Sequence, residues 1–161
     1  ISWTICLFGA ELTYAGQNIR NFSFDQDTRS ISRRYRDFVS MLIMSHITKR
    51  FEKGETPYTA EAISEECQIP IRLANQTLYE LQEVGLIHEV VVDAKSQDIA
   101  YQPSMDINQL TVNILLNRLY THGSENFKID KDHEFSSEWK ALMKAREEYY
   151  NSTQQLLVKD L

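Results

Sequence analysis

Arg72, Asn75 and Gln76 sit close together just after Pro70 in this 161-residue chain, and their types are those that read base edges. Arg pairs bidentately with guanine, and Asn or Gln with adenine, when a helix lies in the major groove. Lys95, some twenty positions on, is placed to reach a phosphate. The surrounding charge opposes that use. Residues 55–123 hold 3 Lys/Arg against 10 Asp/Glu, a net −7. Glu61, Glu65, Glu66, Glu80 and Glu83 flank the three polar residues, and each carboxylate near a phosphate adds repulsion. A helix pair of this kind also docks proteins, and the acidic balance favours docking over nucleic acid.

Other constellations carry less. The four histidines, His46, His88, His122 and His133, are 42, 34 and 11 positions apart, so no two share a helical face at metal-binding spacing. The acidic pairs Glu65–Glu66, Asp130–Asp132 and Glu147–Glu148 fall on predicted exposed surface. Acid–base catalysis needs two carboxylates in different environments. Five scattered glycines form no phosphate-cradling loop, and Gly54, Gly85 and Gly123 stand where helices end. Cys6 and Cys67 have no partner pattern around them. No catalytic residue, metal or cofactor is expected, and the chain reads as non-enzymatic.

The elements that position these residues follow from periodicity. Ile31, Tyr35, Phe38, Val39, Leu42, Ile43, Ile47 and Phe51 form one stripe of a long helix, capped by Asp27 or Thr28 and stopped at Gly54. Thr59 caps a short helix, Ala60 to Cys67, and Pro70 opens another that ends at Gly85. Together they make a helix-turn-helix. The β-branched run 86–93, a polar turn and Ile99–Gln102 predict a hairpin closed by Pro103. Asp106 is read as the cap of a further helix ending at Gly123, and a last helix runs from Ser136 or Ser137 towards Val158 with a fraying end. The fold class is therefore mainly α with a small β-hairpin: a winged helix with a long helix before it and two helices after it.

The first sixteen residues are apolar but for Glu11. As a helix they would span roughly 24 Å, short of the ~30 Å of a bilayer core. The basic residues Arg20, Arg29, Arg33, Arg34 and Arg36 follow, giving residues 1–54 a charge of +3. That order matches the cytoplasmic exit of a membrane helix, where Lys and Arg accumulate. The resulting layout is a transmembrane remnant over 1–18, a linker over 19–27, the winged-helix domain over 28–123, a loop over 124–135 and a C-terminal helix over 136–161. Tyr14, Phe22 and Phe24 are either an interfacial belt or ordinary packing. The exposed apolar start is expected to seek cover on the domain or on a second copy.

Trp3 to Leu12, with Gly9-Ala10-Glu11-Leu12 at its centre, resembles the end of the last transmembrane helix of the YihY family, also called the virulence factor BrkB family and long labelled ribonuclease BN. That resemblance implies a bacterial inner-membrane protein whose cytoplasmic extension is the segment in hand. It also implies ribonuclease activity in transfer-RNA processing. Tyr58 to Leu119 is similar in layout to the Rrf-type winged-helix repressors, on the Gly85-Leu86-Ile87 turn and the Tyr101-Gln102-Pro103 exit. Cluster-binding members of that group carry cysteines beyond the wing, and this chain has none after Cys67. The leading expectation is a membrane-tethered module that docks a protein partner or its own copy. The alternatives are a nucleic-acid-binding regulator using Arg72, Asn75, Gln76 and Lys95, and a ribonuclease.

Overall fold

Ser32 closes the first turn of the first described helix, accepting from the Tyr35 N–H on its hydroxyl at 3.3 Å and on its carbonyl at 3.0 Å. The structure, a computed structural model, describes residues 30–152 and 155–161. The chain divides into two units, Ile1–Arg36 and Asp37–Leu161. Of the first, only residues 30–36 are described. The apolar run 1–16, the linker and the predicted caps Asp27 and Thr28 lie outside the described residues, as does any cover the opening run finds.

Helix α1 (Arg33–Glu52) buries Val39, Ile43, Met44 and Ile47 in the second unit. The buried side is turned from the predicted stripe: Phe38 and Phe51 are about half exposed, while Ser40, Ser45 and Thr48 are buried. Small polar residues are tolerated there because the helix satisfies them. The Thr48 hydroxyl donates back to the Met44 carbonyl at 2.9 Å.

A two-residue strand, β1 (Tyr58–Thr59), follows and leads into helix α2 (Ala60–Glu66). Thr59 caps α2 as predicted, taking the Ala62 N–H at 3.2 Å. Gln68 ends it in the left-handed region at φ +53°, which lets the Ile69 N–H reach the Ser64 carbonyl at 3.0 Å. Helix α3 (Ile71–Glu83) completes the helix-turn-helix and buries Leu73, Ala74, Thr77, Leu78 and Leu81.

The wing is β2 (Ile87–Val91) and β3 (Ile99–Pro103), antiparallel, with Glu89 opposite Tyr101. A third strand was not anticipated: β1 pairs antiparallel with β3, Tyr58 against Tyr101, giving the order β1-β3-β2. Two residues are too few to show the alternation that marks a strand in sequence.

The C-terminal third departs most from expectation. Asp106 caps no long helix. It closes a separate turn, accepting from Asn108 on its carboxylate at 2.8 Å and from Leu110 on its carbonyl at 3.1 Å. Helix α4 (Val112–Thr121) begins later, capped by Thr111, which accepts from Ile114 at 3.2 Å. The reason is tertiary. Val158 donates to the Leu110 carbonyl at 3.0 Å and Val112 to the Leu156 carbonyl at 2.8 Å, so residues 110–112 are held extended. Helix α5 (Ser136–Asn151) stops well short of Val158, and the chain returns to place Val158 in a final 3₁₀ turn, fully buried. Lys159 adds a 2.7 Å ion pair to Glu52 at the end of α1. The predicted single helix over 136–161 is thus a helix followed by a returning strap.

Burial of Val158 carries a measurable consequence. Val158→Ala removes two methyl groups from a closed site and is expected to cost about 2 kcal/mol, roughly 4–8 °C in midpoint. Thermal unfolding by circular dichroism measures it; an unchanged midpoint would mean that the tail frays.

Candidate nucleic-acid interface

Helix α3 buries one side, so its opposite side is fixed as the exposed one. There Arg72, Asn75, Gln76 and Tyr79 form a continuous exposed stripe, spaced to fall within about 100° of arc. The structure therefore brings the three predicted α3 residues together. It adds Tyr79, 64% exposed, which composition-based reasoning passed over. The signal was present: Tyr79 stands four positions after Asn75 and three after Gln76. Gln76 donates to the Glu80 carboxylate at 3.2 Å, which holds its amide along the helix.

No side chain caps the start of α3, where Pro70 occupies the cap position. The N–H groups of that turn and the helix dipole favour negative charge at that end. Lys95 lies apart from the stripe, exposed at the tip of the wing. Asp93 shapes that tip, accepting from Lys95 N–H on its carboxylate at 2.9 Å and from Gln97 N–H on its carbonyl at 2.9 Å. Gln97 takes φ +55° to complete the turn. Val91, Val92 and Ile99 beside it are exposed.

At the other end of α3, Gly85 takes φ +71°. Its N–H reaches the Gln82 carbonyl at 2.9 Å and that of Leu86 reaches the Leu81 carbonyl at 2.9 Å. These two bonds make the left-handed helix stop of the kind glycine favours. Arg118 of α4 completes it, donating to the Val84 carbonyl at 3.3 Å and the Gly85 carbonyl at 3.0 Å.

The carboxylates that weighed against nucleic acid are distributed by the fold. Glu61 and Glu89 lie near Tyr101 of the sheet, whose phenol is pushed above its ordinary value by burial first and then by these two charges. Glu55 faces Arg50 at 3.7 Å, and Asp93 and Asp106 shape turns. On α3 itself the acids, Glu80 and Glu83, occupy the second half, away from Arg72 and Asn75. Glu65 and Glu66 are exposed on α2, and Glu83 falls on the arc of the stripe two turns and more beyond Arg72 and Asn75.

The histidines make separate local bonds, His46 to the Leu42 carbonyl at 2.8 Å, His88 to the Ser104 hydroxyl at 3.3 Å and His133 to Asp130 at 3.0 Å. Among the described residues no three His, Cys, Asp or Glu side chains gather in a metal-holding group. Arg33, Arg34 and Arg36 are exposed on the first turn of α1, and Arg20 and Arg29 lie outside the described residues.

No protein-family model matches the chain, and no curated protein does. Solved structures do. Staphylococcus aureus CymR matches at 15% identity over 78% of this chain and 93% of its own, with a TM-score of 0.53. CymR of B. subtilis, described as its global cysteine regulator, matches at 16% identity over 81% of this chain and 94% of its own, with a TM-score of 0.54. T. potens IscR matches at 16% identity over 83% of this chain and 87% of its own, with a TM-score of 0.55. At such identities the likeness establishes the fold, a winged helix with a small antiparallel sheet.

The likeness also corrects the membrane reading. The resemblance to the YihY/BrkB family rested on a four-residue core in the apolar start, whereas the structural match spans about four-fifths of the chain and is to winged-helix proteins outside that family. No described helix is long and apolar enough to cross a membrane. The inner-membrane placement, the membrane partner and the ribonuclease label fall with the family that implied them. A short apolar motif fits many helix ends, so it discriminates poorly. The winged-helix layout, read over some sixty residues, was the more specific signal.

Cys67 closes α2 at the turn before α3, and burial, with a smaller contribution from Glu66, pushes its thiol up to about 11. At pH 8 a thiol so placed holds roughly a hundredfold less thiolate than one at the ordinary 9, and thiolate is the reactive form. In a Cys6→Ser background, iodoacetamide should alkylate Cys67 at about that deficit relative to a free thiol, rising steeply towards pH 11. Labelling at the free-thiol rate would contradict the burial.

Proposed function

We propose that this chain is a DNA-binding transcriptional regulator, with α3 as the helix that enters the major groove and Lys95 of the wing on a flanking phosphate. The observation that carries the reading is the exposed stripe Arg72–Asn75–Gln76–Tyr79 beginning at the N-terminal end of α3. Helix-turn-helix proteins use the N-terminal residues of the second helix on base edges, and Arg, Asn and Gln are the side chains suited to them. The regulators sharing the fold support the same reading. Net charge favours docking, and the paired or turn-forming Glu55, Asp93 and Asp106 are the part of that charge that acts away from α3.

The active form in this reading is a dimer. Helix α5 contains no buried residue yet exposes Leu142 and Tyr149, and Phe135 just before it, at seven-residue spacing on one side. Pairing of that face with the same face of a second copy removes it from water and presents two α3 helices to two half-sites.

Selection of a duplex from a random pool, followed by anisotropy titration, tests the reading. Asn75→Ala should weaken the selected duplex by about 1–3 kcal/mol, roughly 5–150-fold, and relax preference at one base pair. Lys95→Ala should weaken all duplexes alike and lower the salt slope by about 1. Failure to enrich any sequence, or affinity untouched by replacing Arg72, Asn75 and Gln76 together with alanine, would remove the proposal.

A further inference from the structure

A cavity of about 750 Å³ lies between α4, the 122–135 segment and α5. That volume suits a drug-sized molecule. Its walls are aromatic: Tyr120, Phe127, Trp139 and Tyr150 contribute rings. Its two cations each lie over a ring, and one of them is also ion-paired. The Arg146 guanidinium lies 3.8 Å over the Tyr120 ring. The Lys131 ammonium lies 4.6 Å over the Trp139 ring and 2.9 Å from Glu125. With Glu147 as the second carboxylate, the lining is neutral overall. Asn113 and Asn117, one turn apart on α4, add amide donors and acceptors. Aromatic rings, a neutral charge balance and amides select a planar, apolar ligand that is uncharged or zwitterionic. A phosphate-bearing ligand would meet Glu125 and Glu147 and would compete with Glu125 for Lys131.

The cavity adjoins the face assigned to a second copy, with Tyr149 of that face in edge contact with Tyr150 of the lining at 5.8 Å. Trp139, Met143, Arg146 and Tyr150 line it from one side of α5. Phe135, Leu142 and Tyr149 lie roughly 50–90° around the helix from the centre of that side. The cavity also adjoins the route to α3. Asn117, Tyr120 and Thr121 line it, while Arg118, on the same turn of α4, donates to the Val84 and Gly85 carbonyls at the end of α3.

We propose that this cavity is an effector site for a planar, apolar, uncharged or zwitterionic small molecule, whose occupancy reaches α3 through Arg118. The binding stands independently; its regulatory meaning rests on the reading of α3 as a DNA-contacting helix.

Titration of the full chain with N-phenyl-1-naphthylamine, an uncharged fluorescent probe, tests the site. One saturable site per chain is expected, weakened at least tenfold by Met143→Trp, which fills the cavity from a half-buried position. Leu142→Lys, on the other face, should leave the affinity unchanged. 8-Anilinonaphthalene-1-sulfonate should bind no tighter than the uncharged probe. Absence of saturation, indifference to Met143→Trp, or loss with Leu142→Lys would overturn the site, the last by assigning the surface to a second copy. A tenfold preference for the sulfonate would overturn the ligand class. Amide exchange at Gly85 and Leu86 tests the coupling: the probe should slow it at least threefold, and Arg118→Met should abolish that slowing while the probe still binds. Bound probe with unchanged exchange in the unsubstituted chain would refute the coupling. Failure to bind any duplex would remove the regulator reading and leave the probe result standing.

Discussion

The turn Val84–Leu86 is the constraint on which the arrangement depends. Three elements meet there: α3 ends, β2 begins, and Arg118 of α4 donates to two of its carbonyls. The reversal needs a left-handed residue, and Gly85 supplies it without the steric cost of a side chain. Leu86 follows with no exposed surface, and its carbonyl takes the Ser104 N–H at 2.9 Å just after β3. One turn therefore sets the angle between the helix that carries the polar stripe and the wing that carries Lys95. Guanidinium bonds to helix-terminal carbonyls also answer the negative end of the α3 dipole.

Charge illustrates the gap between composition and position. A net −7 over 55–123 reads as hostile to a polyanion. Yet exposed charges separated by more than about 10 Å are largely screened at 0.1 M salt, so the carboxylates nearest the stripe matter most. Glu61 and Glu89 act on Tyr101, and Glu55 on Arg50. Glu80 is engaged by Gln76, leaving Arg72 and Asn75 at the end of α3 that its dipole makes positive. A sum over sequence assigns every charge the same distance from the ligand, and a fold does not.

The helix-turn-helix and the hairpin were legible because their signals are local. Thr59 before a helix, a glycine after one, and β-branched residues flanking a polar turn each act within a few positions. The start of α4 was not legible. Asp106 is as good a cap as Thr111, and what separates them is the strap from residues 156–158, over forty positions away, which holds Leu110–Val112 extended. Tyr79 was legible and missed, since the helical spacing that joins Arg72 to Asn75 and Gln76 also includes it.

The amino-acid sequence by itself determined the winged-helix class and the order of its helix-turn-helix and hairpin, and offered Arg72, Asn75, Gln76 and Lys95 as candidates, because helix and strand periods and stop signals are short-range. Tertiary structure decided which of these share a surface, where the acids lie relative to them, how the C-terminal segment returns to bury Val158, and that α4, α5 and the segment between them line an open aromatic cavity. Each of those depends on contacts between residues far apart in the chain, and no local pattern of residues encodes the distance between them.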